Sequence, residues 1–187
     1  MQNADSQDIA VCLSGDKDSY VRLVRRYETQ ITALMWRFTR DRAVCEELVQ
    51  EVFVEAYFSL KTYRGKGPFL HWLRKIGTRV GYRFWKEQAR NQETAQLEDF
   101  DAVAKQETDE IDPSAAADIL HSLLARLPRA DRIVLTLMYF EQCSTNQIAE
   151  QMGWSRAMVK MRAFRARKKL KTIAERENLL EKLGWIH

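Results

Sequence analysis

STNQIAEQMGWSRAMVKMRAFRARKKLK, residues 144–171, is the stretch whose reading decides the fold. Ser144 can cap a helix, and Gln147, three residues on, completes a capping box. Ile148, Ala149 and Met152 give that helix an apolar stripe, and Gly153 follows where a helix stops. Ser155 can cap a second helix, on which Val159, Ala163, Ala166 and Leu170 fall on one face. The rest of this second helix carries eight basic residues and no acid between 156 and 171. An ordinary solvated helix would pair such cations with acids one turn away. A capped turn leading into an unopposed cationic helix predicts a helix-turn-helix that reads duplex DNA.

Working outward, the chain has 187 residues, a length that allows one domain and favours two small ones. It is 45% hydrophobic and 30% charged, and its 7 Gly and 3 Pro argue against a turn-rich all-β protein. The net charge of +4 is unevenly spread: residues 1–92 carry +5, residues 93–112 carry −7 and residues 113–187 carry +6. Two basic blocks around an acidic one suggest two nucleic-acid-facing domains and an anionic linker.

Cys12, Cys45 and Cys143 lie far apart, without a CxxC or a His pair, so no zinc site or disulfide framework is expected. No Ser/His/Asp set, Gly-rich phosphate loop or metal-ligand spacing is present, so no enzymatic site, cofactor or small-molecule substrate is expected either. The polar start MQNADSQDIA does not read as a signal peptide, and no run approaches the length of a membrane span. The expected setting is cytoplasmic and reducing, without membrane insertion.

Tyr20, Leu23, Val24, Tyr27, Ile31, Leu34, Met35 and Phe38 repeat at helical spacing and predict a long helix from about Asp18 to about Thr39, begun by Asp16 or Asp18. Cys45, Leu48, Val49, Val52, Ala56 and Leu60 form a second stripe. Phe53 and Tyr57 lie at its edge among Glu46, Glu47, Gln50, Glu51 and Glu55, a face that suits either a partner or a second core neighbour. KTYRGKGP, residues 61–68, is a loop. Phe69–Arg90 returns to helical period, with Trp72, Leu73, Ile76, Val80 and Phe84 inward and Lys75, Thr78, Arg79, Tyr82, Arg83 and Lys86 around the rest. Rings among cations suit unpaired nucleic acid, Tyr82 and Trp85 being the open cases. Residues 91–114 lose periodicity and read as a tether. Ile119, Leu120, Leu123 and Leu124 mark a helix ended by Leu127-Pro128, and Ile133, Val134, Leu137, Met138 and Phe140 mark the next. The tail 178–187 reads as a final capping turn. No strand pattern appears, so the fold class is all-α: two small helical domains, 1–92 and 115–187, joined by an acidic linker, 93–114.

Three stretches together, AVCEELVQEVFVEAYFSLKTYRG (43–65), FLHWLRKIG (69–77) and the segment LPRAD…RARKKL (127–170), resemble a bacterial sigma factor of the sigma-70 family, extracytoplasmic-function group. The resemblance implies a transcription initiation factor that directs core RNA polymerase to promoters and opens the strands. Its first domain would be sigma domain 2, with Glu47, Leu48, Val49, Gln50, Glu51 and Phe53 on the β′ clamp helices. The loop Tyr63–Phe69, including Arg64 and Lys66, would hold a flipped base of the minus-10 element. Lys75, Arg79, Tyr82, Arg83 and Lys86 would line that element. Its second domain would be sigma domain 4, which also meets the β flap. Lys160, Met161 and Arg165 would lie nearest the minus-35 bases, and Ser155, Arg156, Arg162 and Arg167 would hold phosphates. An anti-sigma factor is the further partner implied.

This chain departs from the family pattern at Arg79 and Arg83, where an Asn and an Asp are common. Further departures are Gln147 for the usual Glu, Ala157-Met158-Val159 for Gly-Thr-Val, and Glu47 for Asp. The rival readings are a stand-alone helix-turn-helix regulator that dimerises on a palindrome, and a helical adaptor without sequence preference.

Overall fold

The structure is a computed structural model, and it describes residues 2–95 and 113–177. The fold is all-α, and among the described residues no strand occurs. The chain divides into two compact units, Met1–Asn91 and Gln92–His187. Most of the expected linker, residues 96–112 with their acids, and the tail 178–187 lie outside the described residues.

The first unit holds α1 (Gln2–Leu13), α2 (Lys17–Met35), α3 (Arg42–Ser59) and α4 (Phe69–Ala95). Asp16 caps α2, its carboxylate accepting from the Asp18 and Ser19 amides, and Asp41 caps α3 by accepting from Val44. Helix α2 stops at Met35, short of the expected Thr39, and Phe38 is buried from the turn that follows. The α3 stripe, Cys45, Leu48, Val49, Val52, Ala56 and Leu60, is buried in full.

Helix α1 was not legible as a helix. Its buried positions are Asp5, Asp8, Ile9 and Cys12, so half of its inward stripe is acidic. Those acids meet cations of α2: Arg26 donates to Asp5 at 2.5 Å and to Asp8 at 2.7 Å, and Arg22 donates to Asp8 at 2.8 Å. Tyr27 Oη donates to Asp5 at 2.6 Å. Burial raises the Asp8 carboxyl, but donation from Arg22 and Arg26 outweighs it and leaves the group below the ordinary carboxylate range.

Helix α4 crosses α2 at very close range, and two glycines permit it. A Cβ on Gly77 would come within 2.8 Å of Leu34 Cδ2, and one on Gly81 within 2.4 Å of the Phe38 ring. This close approach changes which aromatics are inside. Leu73, Ile76 and Val80 are buried as expected, but Trp72 and Phe84 are only half-buried. Trp85 is the core aromatic instead: its ring lies 4.7 Å from that of Phe38, and its Nε1 donates to the Phe38 carbonyl at 2.8 Å. Phe69 opens α4 and is buried against Tyr27, Tyr63 and Trp72.

The second unit holds α5 (Pro113–Ala125), α6 (Arg129–Leu135), a π-turn (Thr136–Phe140), α7 (Thr145–Met152) and α8 (Arg156–Arg176). Leu124, Leu127 and Leu135 pack against Ala166 and Leu170 of α8. Leu120, expected inside, is exposed. Ile133, Val134, Leu137, Ile148, Val159 and Ala163 complete the burial that holds α7 and α8 on α6.

Candidate nucleic-acid and polymerase interfaces

The α7–α8 pair is built as its caps foretell. Ser144 Oγ accepts from the Gln147 amide at 3.3 Å, and Gln147 Oε1 accepts from the Ser144 amide at 2.8 Å. A glutamine therefore closes the box as a glutamate would. Gly153 ends α7 in the left-handed region at φ +68°, where a side chain would be strained. Ser155 Oγ then accepts from the Met158 amide at 3.1 Å and starts α8.

On α8 the outward cations do not all stand free. Asp131 of α6, buried at its side chain, accepts from Arg162 at 3.2 Å and from Arg165 at 3.3 Å. The Arg162 guanidinium also lies 4.7 Å from the centre of the Trp154 ring. Arg162, expected to hold a phosphate, is thus anchored against α6 and the turn. Arg165 is tethered at one end yet half-exposed. Arg156, Lys160, Met161 and Arg167 are exposed, as is Ser155 at the helix start. Farther along, an open cleft of about 930 Å³ between α8 and the α5–α6 turn is lined by Lys168, Lys169 and Arg176 opposite Arg126.

In the first unit, α3 separates the six expected partner residues by face. Glu47, Gln50 and Glu51 are exposed, whereas Leu48, Val49 and Phe53 are buried at 5%, 8% and 7%. The outward line of α3 continues instead through Val54, 55% exposed, and Phe58, 75% exposed. Helical spacing alone put Phe53 at an edge. It is buried in the structure, and beside it the Tyr20 hydroxyl of α2 donates to the Phe53 carbonyl at 2.5 Å while the Tyr20 ring meets Tyr57 edge-on at 5.0 Å.

The loop after α3 leaves Arg64 and Lys66 exposed. Gly65 adopts φ +68°, and Tyr63 folds back, donating to the Gly67 carbonyl at 2.6 Å with its ring on Phe69 and Trp72. Phe69 is therefore the floor of this loop and has no face left for a base. On α4, Arg79 and Lys86 are exposed and Lys75 and Tyr82 half-buried, the Lys86 ammonium sitting 5.0 Å above the Tyr82 ring. Arg83, expected beside DNA, instead donates to Glu51 at 2.6 Å and to Glu55 at 2.5 Å, and so bolts α4 to α3. These two bonds outweigh desolvation and raise the affinity of Arg83 for its proton.

Sequence reasoning missed Asp131, the pairing of Glu55 with Arg83, and the exposed rings of Phe58 and Phe164. A lone acid upstream of an acid-free cationic helix was the available signal for Asp131. An arginine where the resemblance leads one to expect an acid was the signal for Glu55. For Phe58 and Phe164 the signal was a bulky apolar residue out of phase with its own stripe.

Among the described residues no cluster of His, Cys, Asp and Glu suits a metal ion, and no helix is long and apolar enough to cross a membrane. Cys12 and Cys45 are buried, and burial pushes both thiols up.

Two family models match the chain: Sigma-70 region 2 over residues 23–91, and Sigma-70, region 4, over residues 117–170. The RNA polymerase sigma-H factor of Pseudomonas aeruginosa is 28% identical over 176 residues, covering 89% of this chain and 91% of the relative. The ECF RNA polymerase sigma-E factor of Haemophilus influenzae is 29% identical, covering 82% and 86%. Among solved structures, CnrH in complex with the cytosolic domain of CnrY has a TM-score of 0.61 at 24% identity, over 92% of this chain and 97% of that one. The sigma factor RpoE in complex with the anti-sigma factor NepR, from Bartonella quintana, has a TM-score of 0.62 at 18% identity, over 86% and 98%.

Proposed function

Because this chain belongs to the sigma-70 family, in its extracytoplasmic-function group, we propose how its two units divide the work of a transcription initiation factor between polymerase and promoter. It is an alternative sigma factor. The single observation that carries the assignment of roles is the capped α7–α8 pair with its cationic outward face. The region-2 unit on the same chain presents an outward acidic and apolar line on α3.

Core RNA polymerase is met by the outward line of α3: Glu47, Gln50 and Glu51, then Val54 and Phe58. Leu48, Val49 and Phe53 hold that line in place from within the core. The minus-10 element meets Arg64 and Lys66 of the loop, then Lys75, Arg79, Tyr82 and Lys86 of α4. Cations would hold phosphates there, and a tyrosine supplies a ring for an unstacked base. The minus-35 duplex takes the first half of α8, with the α8 N-terminus, Arg156, Lys160 and Arg167 on phosphates and Met161 and Arg165 toward the bases. The β flap of polymerase is a second contact for this unit. Work of this kind belongs in the cytoplasm, and an anti-sigma protein is the further partner class.

Charge reversal tests the polymerase assignment. Glu47→Lys with Gln50→Lys, both on exposed positions, is expected to weaken co-elution with core RNA polymerase on a sizing column. The same pair is expected to leave helical content unchanged. Undiminished co-elution would remove α3 from the interface.

A further inference from the structure

We propose that Asp5 is a positioning residue for promoter opening: through the Tyr27 hydroxyl it fixes the aromatic floor on which the loop at residues 61–68 stands; this rests on the minus-10 reading above. Helix α1, which carries Asp5, lies outside residues 23–91, the stretch that matches Sigma-70 region 2. The tip of the loop stands clear of the helices. A Cβ on Gly65 or on Gly67 would meet no atom within 4 Å, and Arg64 and Lys66 beside them are exposed. The loop is closed at its base instead: Tyr63 donates to the Gly67 carbonyl, and its ring rests on Phe69 and Trp72. Where that base sits therefore decides where the two cations stand.

The base sits on Tyr27, whose ring lies 5.6 Å from that of Phe69, and both side chains are buried. Apolar burial is non-directional and does not by itself fix where one ring stops against another. The Tyr27 hydroxyl supplies the direction. It donates to one oxygen of the buried Asp5 carboxylate at 2.6 Å, the length of a charge-assisted bond. Asp5 is held in turn, because Arg26 donates to its other oxygen at 2.5 Å. Helix α1 also packs beside the 3-10 turn Leu60–Thr62, from which the loop departs. The Asp5 charge is felt in the loop itself: burial first, and then that charge, raise the Tyr63 hydroxyl above its ordinary value. Burying a carboxylate costs free energy that an apolar side chain would not, so stability alone does not call for an acid at this place.

The test uses the full chain with core polymerase on a promoter selected from a random library, with a fluorescent base analogue in the minus-10 element to report opening. Tyr27→Phe removes only the hydroxyl and keeps the ring on Phe69. It is expected to slow opening about twofold to tenfold, the range that one hydrogen bond spans, while co-elution with polymerase is unchanged. Asp5→Ala is expected to slow opening by a similar factor. The double variant should be no slower than the slower single one, because the two residues act in series. Arg26→Gln separates positioning from stability. It cuts the ties of α1 to α2 at Asp5 and Asp8 but leaves the Tyr27 bond, so thermal unfolding of the first unit is expected to come earlier with opening unchanged. Opening at the normal rate with Tyr27→Phe, or opening slowed as much by Arg26→Gln, overturns the inference. So does loss of polymerase assembly in Tyr27→Phe, which would make the hydroxyl a general support of the unit. Arg64→Ala with Lys66→Ala tests the premise. Opening indifferent to that pair sinks the minus-10 reading and the inference with it; opening slowed by that pair and not by Tyr27→Phe sinks only the inference.

Discussion

Gly81→Ala adds one methyl group at the tightest point of the first unit. The new Cβ would sit 2.4 Å from Cγ and Cδ1 and 2.5 Å from Cδ2 of Phe38. Carbon atoms rest at about 3.5–4.0 Å, so ring and helix must separate by more than about 1 Å. Phe38 cannot yield cheaply, because it is 2% exposed, lies against the Trp85 ring and supplies the carbonyl that Trp85 Nε1 binds. Overpacking of this kind costs about 1–3 kcal/mol, and the clash here belongs at the upper end. Alanine returns up to about 1 kcal/mol of helix propensity. The expected net loss is about 2 kcal/mol in the first unit. Gly77→Ala is the internal control: its closest contact is 2.8 Å, with the end of the flexible Leu34 side chain, and a smaller loss is expected. Urea unfolding followed by tryptophan fluorescence reads both variants, each unit being fitted as its own transition. A neutral or stabilising Gly81→Ala would refute the close packing of α4 on Phe38 and the turn after α2.

Asp131→Asn removes the charge that Arg162 and Arg165 share, and is expected to cost the second unit about 1–3 kcal/mol in thermal unfolding, a figure typical of a broken charged hydrogen bond. An unchanged transition would contradict the anchoring role. Acid is expected to loosen α1. The folded Asp8 carboxyl lies below its unfolded value of about 3.9, so its stabilisation is present above that value and lost as pH falls through the folded one. Amide exchange along α1 should accelerate below about pH 4 beyond the intrinsic rate, and protection that persists would refute the assignment. A double-mutant cycle on Arg83 against Glu51 and Glu55 is expected to yield about 0.5–1 kcal/mol of coupling, since these half-exposed groups are well screened. Zero coupling would free Arg83 for the DNA role first expected of it. Arg165→Ala is expected to cost roughly 1–3 kcal/mol at one base position, read by a minus-35 substitution series. Equal weakening on all DNA would demote it to a phosphate contact.

The helix-turn-helix was legible because each of its signals is local. Ser144, Gln147, Gly153 and Ser155 act on amides within a few residues, and their caps form as written. The α3 stripe was legible because burial on one helical face leaves a period in the sequence. Helix α1 was hidden because its inward acids are satisfied by α2 cations distant in the chain. Trp85, rather than Trp72 or Phe84, is buried, and it lies one turn beyond Gly81 on the face of α4 that meets Phe38. The partners of Arg83 and Arg162 were hidden for one reason: a guanidinium beside a predicted DNA face looks available until the opposing carboxylate is located. The burial of Phe69 was not legible because the loop it ends packs on its own aromatics.

Transcription initiation by purified core RNA polymerase, with and without this chain, tests the assignment most directly. On a promoter library, run-off products are expected to start at a defined set of sites only when the chain is added. They should disappear when the outward α3 carboxylates are reversed. Initiation at the same sites in its absence, or no stable association with the core enzyme, would contradict the account.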